Sequence, residues 1–287
     1  MKRVRYSGGE FEGVRDVRLA FHAWEVPRAR AAVVVVHGLG EHGRRYADLA
    51  ERFATNGFST FAYDQRGHGM SEGRRGHVAR FRHFVQDLER FRRTVEGLVD
   101  FGTPLFLLGH SMGGLVALRH LEEYDAAFHG SIIVSPWLAT AVPIPRWKTL
   151  AANTIEHLLP AFPLRSGLDP DHLSRDPNVV QAYRDDPLVH DRITPRLFND
   201  ASRAMGLAMQ RGEKLRTPLL FLLAGQDRIV STLRSNAFAR ALPARDVTIR
   251  IREDDYHEIL NEPGRAIAIQ EIRDWIAARI PAAAHAR

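Results

Sequence analysis

The chain has 287 residues, of which 45% are apolar and 26% charged, and its net charge is +6 at pH 7. This is enough apolar sequence to bury a sizeable core, which excludes an intrinsically disordered chain. No cysteine is present, which excludes disulfides, thiolate metal sites and a cysteine nucleophile. Basic and acidic side chains are interleaved without a basic tract, so we expect no nucleic-acid partner.

The sequence shows neither an export signal nor a membrane-spanning run. Residues 1–6 are partly basic, but no apolar run follows them. No stretch approaches the roughly 20 apolar residues that cross a bilayer. The sequence therefore predicts a cytoplasmic protein, and it leaves the oligomeric state open.

Short apolar runs predict strands that are buried on both faces of a parallel sheet. These strands are Ala31–Val36, Phe58–Tyr63, Leu105–Leu108, Ser131–Val134, Leu219–Leu223 and Val247–Ile251. Helical patterns cover Tyr46–Asn56, Phe81–Phe101, Gly113–Tyr124, Leu233–Leu242 and Arg265–Arg279. The alternation predicts a layered α/β fold, a mostly parallel central sheet flanked by helices, and Val14–Val26 is expected to add an antiparallel edge.

A proline-rich stretch interrupts this alternation after Ser135. It is far longer than an ordinary connection and contains helical patterns at Trp147–Leu159 and Arg196–Arg211. We therefore expect an inserted helical cap at residues 139–216, between two parts of one core at residues 1–138 and 217–287.

A serine stands between the strand Leu105–Leu108 and the helix that follows it, in the sequence Gly-His-Ser-Met-Gly-Gly of residues 109–114. This context is typical of a nucleophile elbow, in which small residues allow a tight strand-to-helix turn. The turn presents the hydroxyl of Ser111 at the sheet edge and leaves the amide of Met112 free to bind an oxyanion.

A serine nucleophile needs a base and an acid that orients the base. Asp227 follows the strand Leu219–Leu223, and His257 follows the last strand, which is the chain order that an elbow serine requires. Asp254 and Asp255 are rivals for the acid, but they lie almost beside the histidine in sequence.

The loop after the first buried strand, His-Gly-Leu-Gly-Glu-His at residues 37–42, is expected to supply the second oxyanion donor. Its glycines let the backbone turn inward, so the amide of Leu39 becomes the partner of the Met112 amide. The sequence contains no His-Glu-x-x-His pattern or carboxylate cluster, so we expect no metal and no cofactor.

Several motifs lie between residues 37 and 258, within a similarity that covers about residues 10–280. They are His37-Gly38-Leu39-Gly40-Glu41-His42 with Arg45-Tyr46, Asp64-Gln65-Arg66-Gly67-His68-Gly69-Met70-Ser71-Glu72-Gly73, Gly109-His110-Ser111-Met112-Gly113-Gly114, Leu173-Ser174-Arg175-Asp176, Asp186-Pro187-Leu188, Gly225-Gln226-Asp227-Arg228 and Tyr256-His257-Glu258. The set resembles the monoacylglycerol lipase and lysophospholipase branch of the α/β-hydrolases. The resemblance implies an α/β-hydrolase fold with a helical cap and an apolar tunnel, in a serine hydrolase that cleaves monoacylglycerols or related single-chain esters.

The resemblance also implies that Glu41 and Arg45 lie near the polar end of the substrate pocket. The alternative is a salt bridge that stabilises the loop. Leu39 is bulkier than the alanine of some relatives, which leaves the preference for acyl-chain length open.

The predicted cap helix carries apolar residues from Trp147 through Leu150, Leu158 and Phe162. This stripe fits a helix that roofs the pocket, which is the commoner use, or one that contacts a membrane surface transiently. Two other functions also remain open, namely an amidase or aminopeptidase that uses the same three residues and a binding protein of low turnover.

Overall fold

The computed structural model describes residues 4–124, 128–143, 145–243 and 246–281. Its strands are β1 (Arg5–Glu12), β2 (Arg18–Glu25), β3 (Ala31–Val36), β4 (Phe58–Tyr63), β5 (Leu105–His110), β6 (Gly130–Val134), β7 (Leu164–Arg165), β8 (Arg192–Ile193), β9 (Leu219–Ala224) and β10 (Val247–Arg252). Its helices are α1 (Ala47–Ala54), α2 (Arg82–Leu98), α3 (Met112–Glu123), α4 (Arg146–Leu158), α5 (Pro177–Asp185), α6 (Pro195–Arg211), α7 (Thr232–Ala241) and α8 (Arg265–Ala277).

Eight strands form one sheet in the order β1-β2-β4-β3-β5-β6-β9-β10. The six strands from β4 to β10 in this order pair in parallel, whereas β2 pairs antiparallel with both β4 and β1. The predicted α/β fold is therefore confirmed, and so is the antiparallel edge. Strand β1, which was not predicted from the sequence, extends that edge by one strand.

The valines of β3 show why the sheet lies in the middle of the molecule. Val33 and Val35 point into one hydrophobic core, which α1 and α8 cover. Val34 and Val36 point into the other, which α2, α3 and α7 complete. Alternate residues of a strand face opposite sides, so a strand made only of valines needs helices on both faces.

Residues between β6 and β9 contain α4, α5, α6 and a two-stranded antiparallel pair, β7 with β8. Of these elements, α6 joins the main core through the buried side chains of Ala201, Ala204 and Ala208. The segment is helical, as predicted, while the domain boundaries at residues 139 and 216 stay a prediction. Among the helices of the described part of the chain, none combines the length and apolar character that crossing a membrane requires.

Candidate active site

Ser111 occupies a strained turn between β5 and α3. Its backbone lies at φ 54° and ψ −117°, which is rare for a residue with a side chain. The turn is possible because Gly113 packs against β3, where an added Cβ would stand 2.1 Å from the carbonyl oxygen of Val36. A Cβ on Gly109 would likewise stand 2.5 Å from the carbonyl oxygen of Gly113. The two glycines therefore allow the close helix–sheet approach that places Ser111 at the carboxyl edge of the sheet.

Asp227 and His257 meet at the same edge, on the loops after β9 and β10. His257 Nδ1 donates a hydrogen bond to Asp227 Oδ2 at 2.7 Å, and both side chains are buried. The other carboxylate oxygen, Oδ1, accepts from the amides of Ile229 at 2.8 Å and Val230 at 2.9 Å. The backbone thus fixes the carboxylate, and the carboxylate fixes the ring and leaves Nε2 as the atom that can accept a proton.

The two rival acids lie elsewhere. Asp255 is buried and binds Arg175 Nη2 at 2.9 Å, and Asp254 is exposed. Although both residues are close to His257 in sequence, neither bonds to its ring nitrogens, because the short loop turns their side chains away.

A cavity of about 360 Å³ opens beside Ser111 and His257. Much of its wall is apolar, from Trp137, Val142, Leu168, Leu173, Ile193, Phe198 and Val230. Polar side chains also line it, among them Glu41, Tyr183 and Glu258. An apolar space with a few polar groups beside a reactive hydroxyl suits an amphipathic ligand.

The loop after β3 brings Leu39 to the wall of this cavity. Gly40, with φ 83°, allows the loop to pass under the cap, where an added Cβ would stand 2.3 Å from the carbonyl oxygen of His190. Met112 is the first residue of α3, so no preceding helical turn can accept its amide hydrogen. Leu39 therefore lines the same cavity as Ser111, and Met112 is the next residue after Ser111, while the role of the two amides as oxyanion donors stays a prediction.

Three side chains of the cavity wall, Glu41, His110 and Glu258, form a group with the nearly buried Arg45, which we call the ionic cluster. Arg45 donates to both oxygens of Glu258, at 2.7 and 2.9 Å, and to Glu41 Oε2 at 2.9 Å. Glu41 Oε1 accepts from His110 Nδ1 at 3.0 Å and from the amide of Gly38 at 2.6 Å. The ring of His110 stands 4.8 Å from the ring of His257 between centroids. The cluster therefore joins the loop after β3 to the loop that carries His257.

Mutual attraction sets the charges of the ionic cluster. Burial alone would raise the pKa of Glu41, but the hydrogen bond from His110 and the charge of Arg45 outweigh it and hold that pKa well below its ordinary value. Burial would likewise raise the pKa of Glu258, but the charge of Arg45 and the hydrogen bonds from it outweigh burial and lower that pKa. Burial would lower the pKa of His110, but the bond to Glu41 and the charges of both carboxylates raise it. The cluster thus favours two anions facing two cations.

The salt bridge between Glu41 and Arg45, which the sequence analysis named as the alternative, is present. Glu41 also lines the cavity, whereas direct contact of either residue with a substrate stays a prediction. The bonds of His110 and Glu258 within the ionic cluster were not predicted from the sequence. Each of the two residues adjoins a predicted site residue, Ser111 or His257, and this adjacency was the available signal.

Comparison with known proteins places this geometry in a family. The family model described as serine aminopeptidase, S33 matches residues 27–264. A monoacylglycerol lipase of Mycolicibacterium smegmatis is 32% identical over 275 residues, which cover 94% of this chain and 96% of that protein. A monoglyceride lipase of Rattus norvegicus is 35% identical over 263 residues, 88% of this chain and 84% of that one.

Solved structures agree with the sequence relatives. The crystal structure of Paleococcus ferrophilus monoacylglycerol lipase superimposes with a TM-score of 0.83 at 33% identity, over 91% of this chain and 99% of that chain. A soluble variant of monoglyceride lipase from Saccharomyces cerevisiae, in complex with a substrate analogue, has the same fold with a TM-score of 0.83 at 21% identity, over 98% of this chain and 96% of that one. The chain therefore belongs to the serine aminopeptidase S33 family and, within it, to the monoacylglycerol lipase branch of the α/β-hydrolases.

Proposed function

We propose that the protein is a carboxylic ester hydrolase that cleaves monoacylglycerols or lysophospholipid-like single-chain lipids, with Ser111 as nucleophile, His257 as base and Asp227 as orienting acid. The observation that carries the proposal is the 2.7 Å bond between His257 and Asp227 beside a cavity that Ser111 also lines. Family membership supports the reaction class.

The reaction proceeds by acyl transfer in two steps. His257 Nε2 accepts the proton of Ser111 as its oxygen attacks the ester carbonyl, and Asp227 stabilises the imidazolium that forms. The amides of Leu39 and Met112 bind the oxyanion, and the removal of one such donor costs on the order of 10²–10³ in turnover. His257 then returns the proton to the leaving alcohol, and water repeats the sequence to release the fatty acid.

The cavity supports a substrate with one apolar chain. Its apolar wall suits a single acyl chain, and Glu41, Tyr183 and Glu258 lie where a polar glycerol or headgroup can approach. Among the relatives, one is named a monoacylglycerol lipase and another, YtpA of Bacillus subtilis, a phospholipase. These names support the proposed lipid class.

The description of the family model favours a second candidate, an aminopeptidase. Such an enzyme needs a carboxylate that is available to the substrate's α-ammonium group. Among the described residues, three carboxylates line the cavity, and two of them, Glu41 and Glu258, are already bound to Arg45, so neither is available without breaking a buried ion pair. The third, Asp169, is exposed and accepts the amide of Asp171. The two carboxylates of the ionic cluster therefore argue for the ester, and the comparison of substrates tests whether Asp169 serves an α-ammonium group.

Purified protein tested on monoacylglycerols of graded chain length, beside an aminoacyl anilide, decides between the two candidates. We expect ester turnover and labelling by a fluorophosphonate probe, and both are expected to vanish in Ser111→Ala, whose thermal unfolding should stay that of the wild type. Turnover retained by Ser111→Ala removes Ser111 from the mechanism. A protein that neither turns over esters nor reacts with the probe is a binding protein.

We also propose that α4 contacts a lipid surface while the substrate enters. Three apolar side chains on this helix are strongly exposed, namely Trp147 at 65%, Leu150 at 66% and Leu158 at 77%. The described residues that line the cavity include none from α4. Exposed apolar helix faces of this kind insert into lipid interfaces. A cytoplasmic location stays a prediction.

Co-sedimentation with liposomes tests the contact. We expect Trp147→Asp to reduce the bound fraction, while Leu233→Asp, which changes an equally exposed apolar residue of α7, serves as the matched control. Equal binding by the wild type and Trp147→Asp discards the contact.

A further inference from the structure

A short segment of the cap, residues 173–176, is bonded to the loop that carries His257. Arg175 donates through Nη2 to Asp255 Oδ1 at 2.9 Å and through Nε to Glu262 Oε2 at 2.6 Å. The amide of Arg175 donates to Glu262 Oε1 at 2.6 Å as well. Asp255 precedes His257 by two positions and Glu262 follows it by five, so Arg175 binds the loop on both sides of the histidine.

Two further bonds complete the attachment. The amide of Glu258 donates to the carbonyl oxygen of Leu173 at 2.8 Å, and Ser174 Oγ donates to the carbonyl oxygen of Asn261 at 3.2 Å. The cap segment and the histidine loop thus share backbone and side-chain bonds along their length. Movement of this segment would be transmitted to the loop.

Charge makes Arg175 the critical member of this attachment. Asp255 is 4% exposed and Glu262 is fully buried, and buried carboxylates need a cation within hydrogen-bond distance. Burial raises the pKa of Asp255, Arg252 opposes this shift, and the charge of Glu262 adds to it. Without Arg175, two anions would face each other beside His257.

The remaining charged groups around the two acids do not replace Arg175. They are Arg252 at the end of β10, Asp254 on the same loop, Arg265 at the start of α8 and Glu271 on α8. Arg252 reaches Asp255 at 3.3 Å but also pairs with Glu271 at 3.5 Å. Arg265 binds the carbonyl oxygen of Glu262 rather than its carboxylate, and it pairs with Asp48 at 3.3 Å. No second cation among the described residues bonds to the Glu262 carboxylate.

We propose that Arg175 is a positioning residue for catalysis, which acts from the cap by neutralising Asp255 and Glu262 and so holds His257 against Asp227. The inference rests on the proposed function, because it assigns the consequence to the base of that mechanism. Arg175 itself is absent from the wall of the cavity, so its effect passes through the loop.

The test compares Arg175→Met with the wild type in full-length protein, with steady-state hydrolysis of one monoacylglycerol measured across pH. We expect kcat to fall about tenfold at about pH 8, with KM changed less than about threefold. The ratio of variant to wild-type kcat should rise toward one as the pH falls, because protonation of one acid removes the repulsion.

Two further variants distinguish charge from packing. Arg175→Met combined with Glu262→Gln removes one of the facing anions and should recover most of the lost kcat at about pH 8. Arg184→Met removes another cap arginine, which pairs with Asp171 at the surface, and should keep wild-type kcat at every pH.

The inference is overturned if the ratio of variant to wild-type kcat does not change with pH, or if the double variant is no more active than Arg175→Met. If Arg175→Met does not unfold cooperatively, Arg175→Lys carries the test, with a pH-independent loss of about threefold expected and wild-type kcat overturning the inference. Failure of the proposed function looks different, because the wild type itself would then show neither turnover nor fluorophosphonate labelling.

Discussion

Two acid–histidine pairs lie side by side at the carboxyl edge of the sheet, and their surroundings differ. Asp227 holds His257 at 2.7 Å, and Glu41 holds His110 at 3.0 Å. Backbone amides satisfy the second oxygen of Asp227, whereas Arg45 binds the second oxygen of Glu41. His257 faces the cavity with a free ring nitrogen, and His110 sits in a closed set of charges.

The comparison teaches that the bond between a carboxylate and an imidazole does not by itself define a role. A carboxylate fixed by neutral amides leaves its histidine able to gain and lose a proton during reaction. A carboxylate shared with an arginine and a raised-pKa histidine forms a rigid unit whose protons stay in place. The first pair is suited to proton transfer and the second to holding two loops together.

The largest effect is expected from Asp227→Asn. The amides of Ile229 and Val230 require an acceptor, so the new amide nitrogen points at His257 Nδ1 and imposes the wrong tautomer. We expect kcat for ester hydrolysis to fall about 10³–10⁴-fold, with fluorophosphonate labelling slowed in parallel. Asp254→Asn is the control, since Asp254 is exposed and should keep wild-type activity. Equal activity of the two variants would contradict the role of Asp227.

The ionic cluster should respond in stability. Arg45→Met leaves Glu41 and Glu258 buried with no cation between them, and the removal of one partner of a buried pair costs about 3–5 kcal/mol. Urea unfolding should show this loss, and a second change, Glu258→Gln, should recover part of it.

Arg52→Met is the matched control for this experiment. It breaks a pair with Asp48 whose two side chains are 38% and 46% exposed, and exposed pairs contribute less than about 1 kcal/mol. A loss at Arg45 no larger than the loss at Arg52 would show that the cluster does not hold the loops.

The sequence predicted the strands β3, β4, β5, β6 and β9 well because their apolar runs report burial on both faces. The prediction of burial on both faces was wrong for the last strand, because β10 lies at the edge of the sheet and its residues are half-buried or exposed. The predicted β5 ended at Leu108, but the strand continues through Gly109 and His110, which pair with β6 although neither is a typical strand residue. β1 was missed because its Ser-Gly-Gly sequence lacks an apolar alternation. The helix α5 was missed although Asp176 caps it and Pro177 opens it, a readable start signal.

The site residues that follow strands could likewise be predicted from the sequence, whereas the contacts between loops could not. Strand order and the elbow motif indicated Ser111, Asp227 and His257, since each follows a strand, and parallel strands bring such positions to one edge. The bond between Arg45 and Glu258 joins residues 213 positions apart. Local pattern cannot predict such a pair, because it depends on how two loops pack after the sheet has formed.

A third histidine, His190, is partly buried and makes no hydrogen bond to a carboxylate among the described residues, and it gives the smallest expected effect in this comparison. His190 anchors the cap, with its amide bonded to the carbonyl oxygen of Gly40 at 2.9 Å and Nε2 to that of Gly67 at 3.1 Å. Burial, with the charge of Arg75, lowers the pKa of His190 to about 4 from 6.5. Because the pKa of His190 is lower in the folded protein, the unfolded chain binds a proton at higher pH than the folded chain does. The free energy of unfolding is therefore unaffected by His190 above about pH 6.5 and decreases as the pH falls from there toward 4.

Between about pH 7 and pH 5 the loss from His190 amounts to about 2 kcal/mol of unfolding free energy. His190→Gln keeps a donor for the Gly67 carbonyl but does not titrate, so its stability should fall by that much less than the wild type's over the same range. Urea unfolding of both proteins at the two pH values measures the difference. Identical pH dependence would mean that His190 binds a proton as readily in the folded protein as in the unfolded chain, and that its partial burial does not keep it neutral.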